Sequence, residues 1–174
     1  MFAQFLWERD DFAGCEEQAN YAVGLKNDDK ETWRILIAAQ IMQSSYESAI
    51  ESCDAALNYF PGDVDILGMK VSPCMALKRY QDVLECADSA LAKLPQDGYD
   101  LFAQFYAYKG DAYYGLNDVE NTVNMYEKSL QYNPDDPMVM NNYAYYLSES
   151  SDNLEKAEDM SYRTVIDSPE NPTY

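Results

Sequence analysis

The feature that most constrains this chain is a repeat. Ala56-Leu57 stands shortly before Pro61, Ala90-Leu91 before Pro95, Ser129-Leu130 before Pro134 and Thr164-Val165 before Pro169, and these prolines are 34, 39 and 35 residues apart. A near-constant period of this size marks a supersecondary unit stacked in one dimension. Within each period, apolar and small residues recur at three- and four-residue intervals, the spacing of one helix face. The first stripes hold Trp33, Leu36, Ile37 and Gln40; Leu67, Val71 and Cys74; Tyr106, Gly110 and Tyr113; and Met140, Tyr143, Ala144 and Leu147. The second hold Tyr46, Ala49, Ile50, Cys53, Ala56 and Leu57; Tyr80, Val83, Leu84, Ala87, Ala90 and Leu91; Val119, Val123, Tyr126 and Leu130; and Leu154, Ala157, Ser161 and Val165. Links as short as Gln43-Ser44-Ser45 force neighbouring helices to run antiparallel. A proline beside acidic or amide residues then stops one helix and starts the next.

Trp33-x-x-Leu36 with Ala49-x-x-x-Cys53 and Pro61, and Lys109-Gly110-Asp111-Ala112-Tyr113-Tyr114 with Tyr126 and Pro134, resemble the tetratricopeptide repeat. That family's pattern is Trp-x-x-Leu-Gly-x-x-Tyr, then Ala-x-x-x-Phe, then Pro in about 34 residues. Small residues at Gly110, Ala144, Ala49 or Ala87 let two helix backbones approach while an aromatic ring fills the adjoining gap. The resemblance implies an all-α fold, a right-handed α-solenoid of antiparallel helix pairs. It reads as one solenoid over residues 1–174, with repeats near 1–29 (partial), 30–63, 64–97 with an insertion at 98–102, 103–136 and 137–171. Met1 falls inside an expected first helix and Pro172-Thr173-Tyr174 reads as the opening of a further repeat, so a longer array is expected, with solenoid ends open to self-association.

Three departures from the pattern carry expectations. Pro73 sits inside an expected helix, where proline costs about 3 kcal/mol, so a kink or break near Val71 is expected. Lys70 and Lys109 stand where the family has leucine, and their stems are expected to turn outward. Cys15, Cys53 and Cys74 fall on packed stripes, whereas Cys86 is offset and expected to be the most accessible thiol.

Composition narrows the function. Twelve Lys and Arg face 31 Asp and Glu, a formal charge of −19, which opposes nucleic-acid and anionic-lipid binding and favours a neutral or basic protein partner. With no histidine, histidine-based acid–base catalysis, Ser/Cys-His nucleophiles and histidine metal sites are excluded. The four cysteines form no Cys-x-x-Cys pair, and no phosphate loop, calcium loop or nucleophile elbow is found. No apolar run is long enough to span a bilayer, and the acidic start is no signal peptide. Paired acids at 10–11, 28–29 and 135–136 fall at helix boundaries, where capping accounts for them. No enzyme and no cofactor is expected.

In the resembled family the first helix of each pair lines a concave groove. Carried onto this chain, that implies a groove bearing Trp7, Arg34, Ile41, Met75, Asp111, Tyr114, Asn141 and Tyr145, a mixture of apolar anchors and polar register groups suited to a peptide or partner helix. The family's carboxylate clamp is not matched, because the corresponding helices offer only Arg34, Lys70 and Lys109. The expected function is a protein–protein interaction module binding a peptide with apolar anchors in that groove. The alternative is a scaffold segment of a larger repeat protein with no separate ligand.

Overall fold

The computed structural model describes residues 11–150 and 153–167, and among these every regular element is a helix. The chain divides into two compact units, Met1–Lys93 and Leu94–Tyr174. The first contains α1 (Phe12–Leu25), α2 (Lys30–Met42), α3 (Tyr46–Tyr59), α4 (Val64–Ala76) and α5 (Tyr80–Leu91). The second contains α6 (Tyr99–Gly115), α7 (Val119–Tyr132), α8 (Pro137–Ser150) and α9 (Leu154–Asp167). In each unit consecutive helices pack together, and alternate ones also meet, α2 on α4 and α6 on α8. That is the neighbour pattern of stacked helix pairs. None of the helices described is long and apolar enough to cross a membrane.

The turn inside each pair is built the same way every time. Ser44, Lys78, Asn117 and Asn153 all have positive φ, between 47° and 58°. After α2, the Ser44 N–H donates to Ile41 O and Ser45 N–H to Gln40 O; Lys78 and Arg79 repeat this on Met75 and Cys74, and Asn117 and Asp118 on Tyr114 and Tyr113. These are the two bonds of a Schellman motif, which satisfy the last carbonyls of the first helix and reverse the chain in three residues. Helix starts are closed by aspartates. Asp11, Asp63 and Asp118 accept from Gly14 N, Ile66 N and Asn121 N at 2.9, 3.1 and 3.2 Å, and Asp136 accepts from Met138 N and Val139 N at 3.0 and 3.1 Å.

The first unit's core follows the expected stripes. Trp33, Leu36, Ile37, Cys53, Ala56 and Ile66 form one buried cluster with Ala19. Trp33 stacks on Tyr59 with ring centroids 6.0 Å apart, and its Nε1–H donates to Asn27 O at 2.9 Å. Of three expectations, one fails here and two are cut back. The helix α4 is not broken at Val71: it runs through buried Pro73 to Ala76, because a proline in the last turn removes only one backbone bond while its ring fills core volume. Lys70 does not turn outward; its ammonium bonds Asp54 of α3, and its side chain is only 14% exposed. Cys86 is buried like the other three thiols, although at 4% exposure, against 0% for the others, it is the least buried of the four. Burial pushes Cys53 and Cys86 up to about 12.

In the second unit the stripes of α7 and α9 are rotated by one position. The buried residues are Thr122, Met125, Tyr126 and Ser129 on α7, and Ala157, Met160 and Thr164 on α9, whereas Val119, Leu154 and Val165 are exposed. The buried hydroxyls explain this. Thr122 Oγ1 donates to Asp118 O at 2.7 Å, Ser129 Oγ to Ala103 O at 2.7 Å and Thr164 Oγ1 to Ser161 O at 2.8 Å. Small side chains that satisfy themselves on the backbone bury at little cost and allow close helix approach. On α6 the fully buried positions are Ala103, Phe105, Gly110 and Ala112, and Tyr113 is only half-buried. Tyrosines fill much of this unit, with Tyr126 stacked on Tyr143 at 5.3 Å and Tyr106 on Tyr132 at 5.8 Å.

Candidate functional site

The expected groove residues fall in three groups. Trp7 lies outside the described residues. In the first unit, Arg34 is exposed on α2 and its guanidinium pairs with Glu31 at 3.1 Å, one turn back. Ile41 is half-buried and packs on the core cluster of Trp33 and Ile37, so part of its apolar surface is already used. Met75 is half-buried near the end of α4.

In the second unit α6 and α8 bring the other candidates close together. Tyr114 on α6 and Tyr145 on α8 both donate their hydroxyls to Glu149, the latter at 2.7 Å, so two rings from neighbouring helices flank one carboxylate. Tyr145 is 56% exposed, and Tyr114 is half-buried with its ring edge on Tyr146 at 5.6 Å. The hydrogen bonds from Tyr114 and Tyr145 hold Glu149 below the usual carboxylate range. The same bond to Glu149 pushes Tyr114 up to about 12.

Asp111 sits one turn earlier on α6. Its Oδ1 accepts from the Tyr126 hydroxyl at 2.6 Å and from Asn142 Nδ2 at 3.3 Å. Burial pushes the Asp111 carboxyl up, against the opposing pull of those two bonds. Asn141 does not join this group. It faces a shallow depression between α8 and α9, with Tyr145, Ser148 and Leu154.

Sequence reasoning missed Glu149 and Asn142. Glu149 stands four residues after Tyr145 and 35 after Tyr114, so the helix-neighbour rule combined with the repeat period points to it. Asn142 in place of Asn141 follows from the register of α8, whose buried Val139, Tyr143 and Tyr146 place residue 142 toward α6.

The tetratricopeptide repeat profile matches residues 125–159. Among solved structures, a MamA from Desulfovibrio magneticus RS-1 is similar at 16% identity and TM-score 0.82, over 98% of this chain and 93% of that one. Another MamA is 14% identical with TM-score 0.81, over 100% and 98%. YrrB, described as a TPR protein with an unusual peptide-binding site, is 13% identical with TM-score 0.72, over 99% and 86%. No curated protein sequence matches. At these identities the structural likenesses establish the all-helical repeat fold, and the matched profile places one repeat of the pattern across α7, α8 and the start of α9.

Proposed function

We infer that this chain is a protein–protein interaction module of the tetratricopeptide-repeat type, one that binds a peptide or partner helix along the surface between α6 and α8. The observation that carries this is Tyr114 and Tyr145 flanking Glu149, with Tyr145 largely exposed. Exposed aromatics beside a fixed carboxylate give contact area at low entropic cost and one group to set register. The peptide-binding description of the similar YrrB supports the same reading. A chain of net charge −19 favours a neutral to basic partner with apolar anchors, and on this reading the chain works by binding and carries no reaction of its own.

The test is a peptide-display selection against the full chain, followed by titration of the selected peptides against variants. Tyr114→Ala and Tyr145→Ala should each weaken binding by roughly tenfold or more, and Lys128→Ala on α7 should not. Selected peptides indifferent to both tyrosines would overturn the assignment. A specific observation favours the scaffold alternative in that event: Leu154, Val165 and Ile166 leave an apolar strip exposed on α9, suited to the next helix of a longer array.

A further inference from the structure

A cavity of about 350 Å³ opens between α6 and α8 at the level of Asp111. Its apolar walls are Leu101 and Ala107 of α6 and Met138 and Val139 of α8, and Tyr108 adds an aromatic face. Three aspartates, Asp100, Asp111 and Asp136, also line it, and among the described lining residues none is basic. That volume is at the small end of ligand pockets, which run from about 300 to 1,000 Å³. It suits a single long side chain and is too small for a helix.

The three carboxylates differ in how the fold compensates them. Asp136 closes the start of α8, with Oδ1 on two backbone N–H groups and Oδ2 accepting from Asn133 Nδ2 at 3.3 Å. Asp100 lies in the first turn of α6, where the helix dipole favours an acid. Asp111 stands near the C-terminal end of α6, four residues before Gly115, where the helix dipole gives an acid no support. Both of its hydrogen bonds fall on Oδ1, from Tyr126 behind it and Asn142 beside it. A carboxylate drawn out of water and bonded through one oxygen lacks a counter-charge. A cation entering past the apolar walls would supply it.

We propose that this cavity receives a basic side chain of a partner polypeptide, its methylene stem along Leu101 and Met138 and its charged end on Asp111. Charge complementarity selects this occupant over a neutral or acidic one, and the apolar walls select a long aliphatic stem over a free metal ion or small amine. The ring of Tyr108 offers the same cation a second favourable contact. The proposal rests on the reading of the α6–α8 surface as polypeptide-binding and names the chemistry of one position on it.

The experiment titrates N-acetyl-arginine amide, N-acetyl-lysine amide and N-acetyl-norleucine amide into the isotopically labelled full chain, followed by amide chemical shifts. The two basic probes should saturate, with shifts centred on Ala107, Tyr108, Asp111 and Asn142; norleucine, which keeps the stem and lacks the charge, should not. Asp111→Asn retains an acceptor oxygen for Tyr126 and Asn142 and should weaken the basic probes by roughly tenfold. Leu101→Lys, which tethers a competing ammonium at the rim without touching the Asp111 bonds, should weaken them as well. Glu120→Gln, at an exposed carboxylate on α7, should leave them unchanged. Absence of saturable shifts at this cavity, or equal binding by Asp111→Asn, would overturn the proposal. Selected peptides that still depend on Tyr114 and Tyr145 would then show that only the cavity assignment had failed, and loss of both dependences would overturn the wider reading too.

Discussion

Gly110→Ala tests whether the core and the candidate site are one mechanical object. A Cβ at position 110 would lie 2.8 Å from both Cδ1 and Cε1 of Tyr126, where carbon atoms sit best at about 3.5–4.0 Å. The ring is poorly placed to yield: it is 2% exposed, stacked on Tyr143, and bonded through its hydroxyl to Asp111. Replacing a mid-helix glycine by alanine gains about 1 kcal/mol of helix propensity. Overpacking costs about 1–3 kcal/mol, and a displaced hydroxyl forfeits a hydrogen bond to a charged group that contributes about 1.5–3 kcal/mol. The destabilising effects win, by a net of about 1.5–5 kcal/mol. Urea unfolding followed by far-UV circular dichroism reads the difference. In a Tyr126→Leu background the clash is gone, and the same alanine should become neutral or stabilising by about 1 kcal/mol. Parental stability for Gly110→Ala alone, or an equal loss in both backgrounds, would refute the reasoning.

Other outcomes follow from the same geometry. Trp33→Ala should lose about 3–5 kcal/mol in urea unfolding, and Tyr113→Ala, only half-buried, distinctly less; equal losses would place Tyr113 in the core after all. Lys78→Gly should raise stability by about 1 kcal/mol, since an L-residue is strained in the left-handed turn position, and an unchanged or lower midpoint would count against that turn. All four cysteines should react slowly with a thiol reagent in the native state, Cys86 included, and fast native labelling of Cys86 would contradict its burial. In a carboxyl titration by NMR, Asp111 should titrate above the ordinary aspartate value and Glu149 below the ordinary glutamate value, because burial raises the one and tyrosine hydrogen bonds lower the other.

The sequence reads clearly where the physics is apolar burial and poorly where it is polar burial. The Trp33, Leu36, Ile37 stripe and the Met140, Tyr143, Leu147 stripe come straight from periodicity. Those on α7 and α9 slip by one position because Thr122, Ser129 and Thr164 look like a wet face and are in fact dry, satisfied by carbonyls that no pattern of residue types displays. The αL residues of the turns are similarly hidden: Asn117 is an ordinary choice there, whereas Ser44 and Lys78 give no signal. For the site, the repeat period supplies Tyr114 and Tyr145 as neighbours, since successive first helices lie side by side. It does not supply Asn142, whose choice over Asn141 rests on about 100° of helix rotation.

Asp111 ties these strands together through the sign of its titration. A group whose folded-state value is raised above its ordinary one holds its proton more tightly in the fold. Its contribution to stability is therefore greatest at pH below the ordinary value and declines as pH rises through the folded one. At neutral pH the carboxylate is thus a small standing cost to the second unit, and Asp111→Asn, which keeps the Tyr126 and Asn142 bonds, should flatten that part of the stability–pH curve. A cation seated against Asp111 offsets the same cost, so binding and stability share one group: saturating basic probe should stabilise the parent and leave Asp111→Asn unmoved. Stabilisation of both to the same degree would separate the cation from Asp111 and leave the raised titration as a property of the core alone.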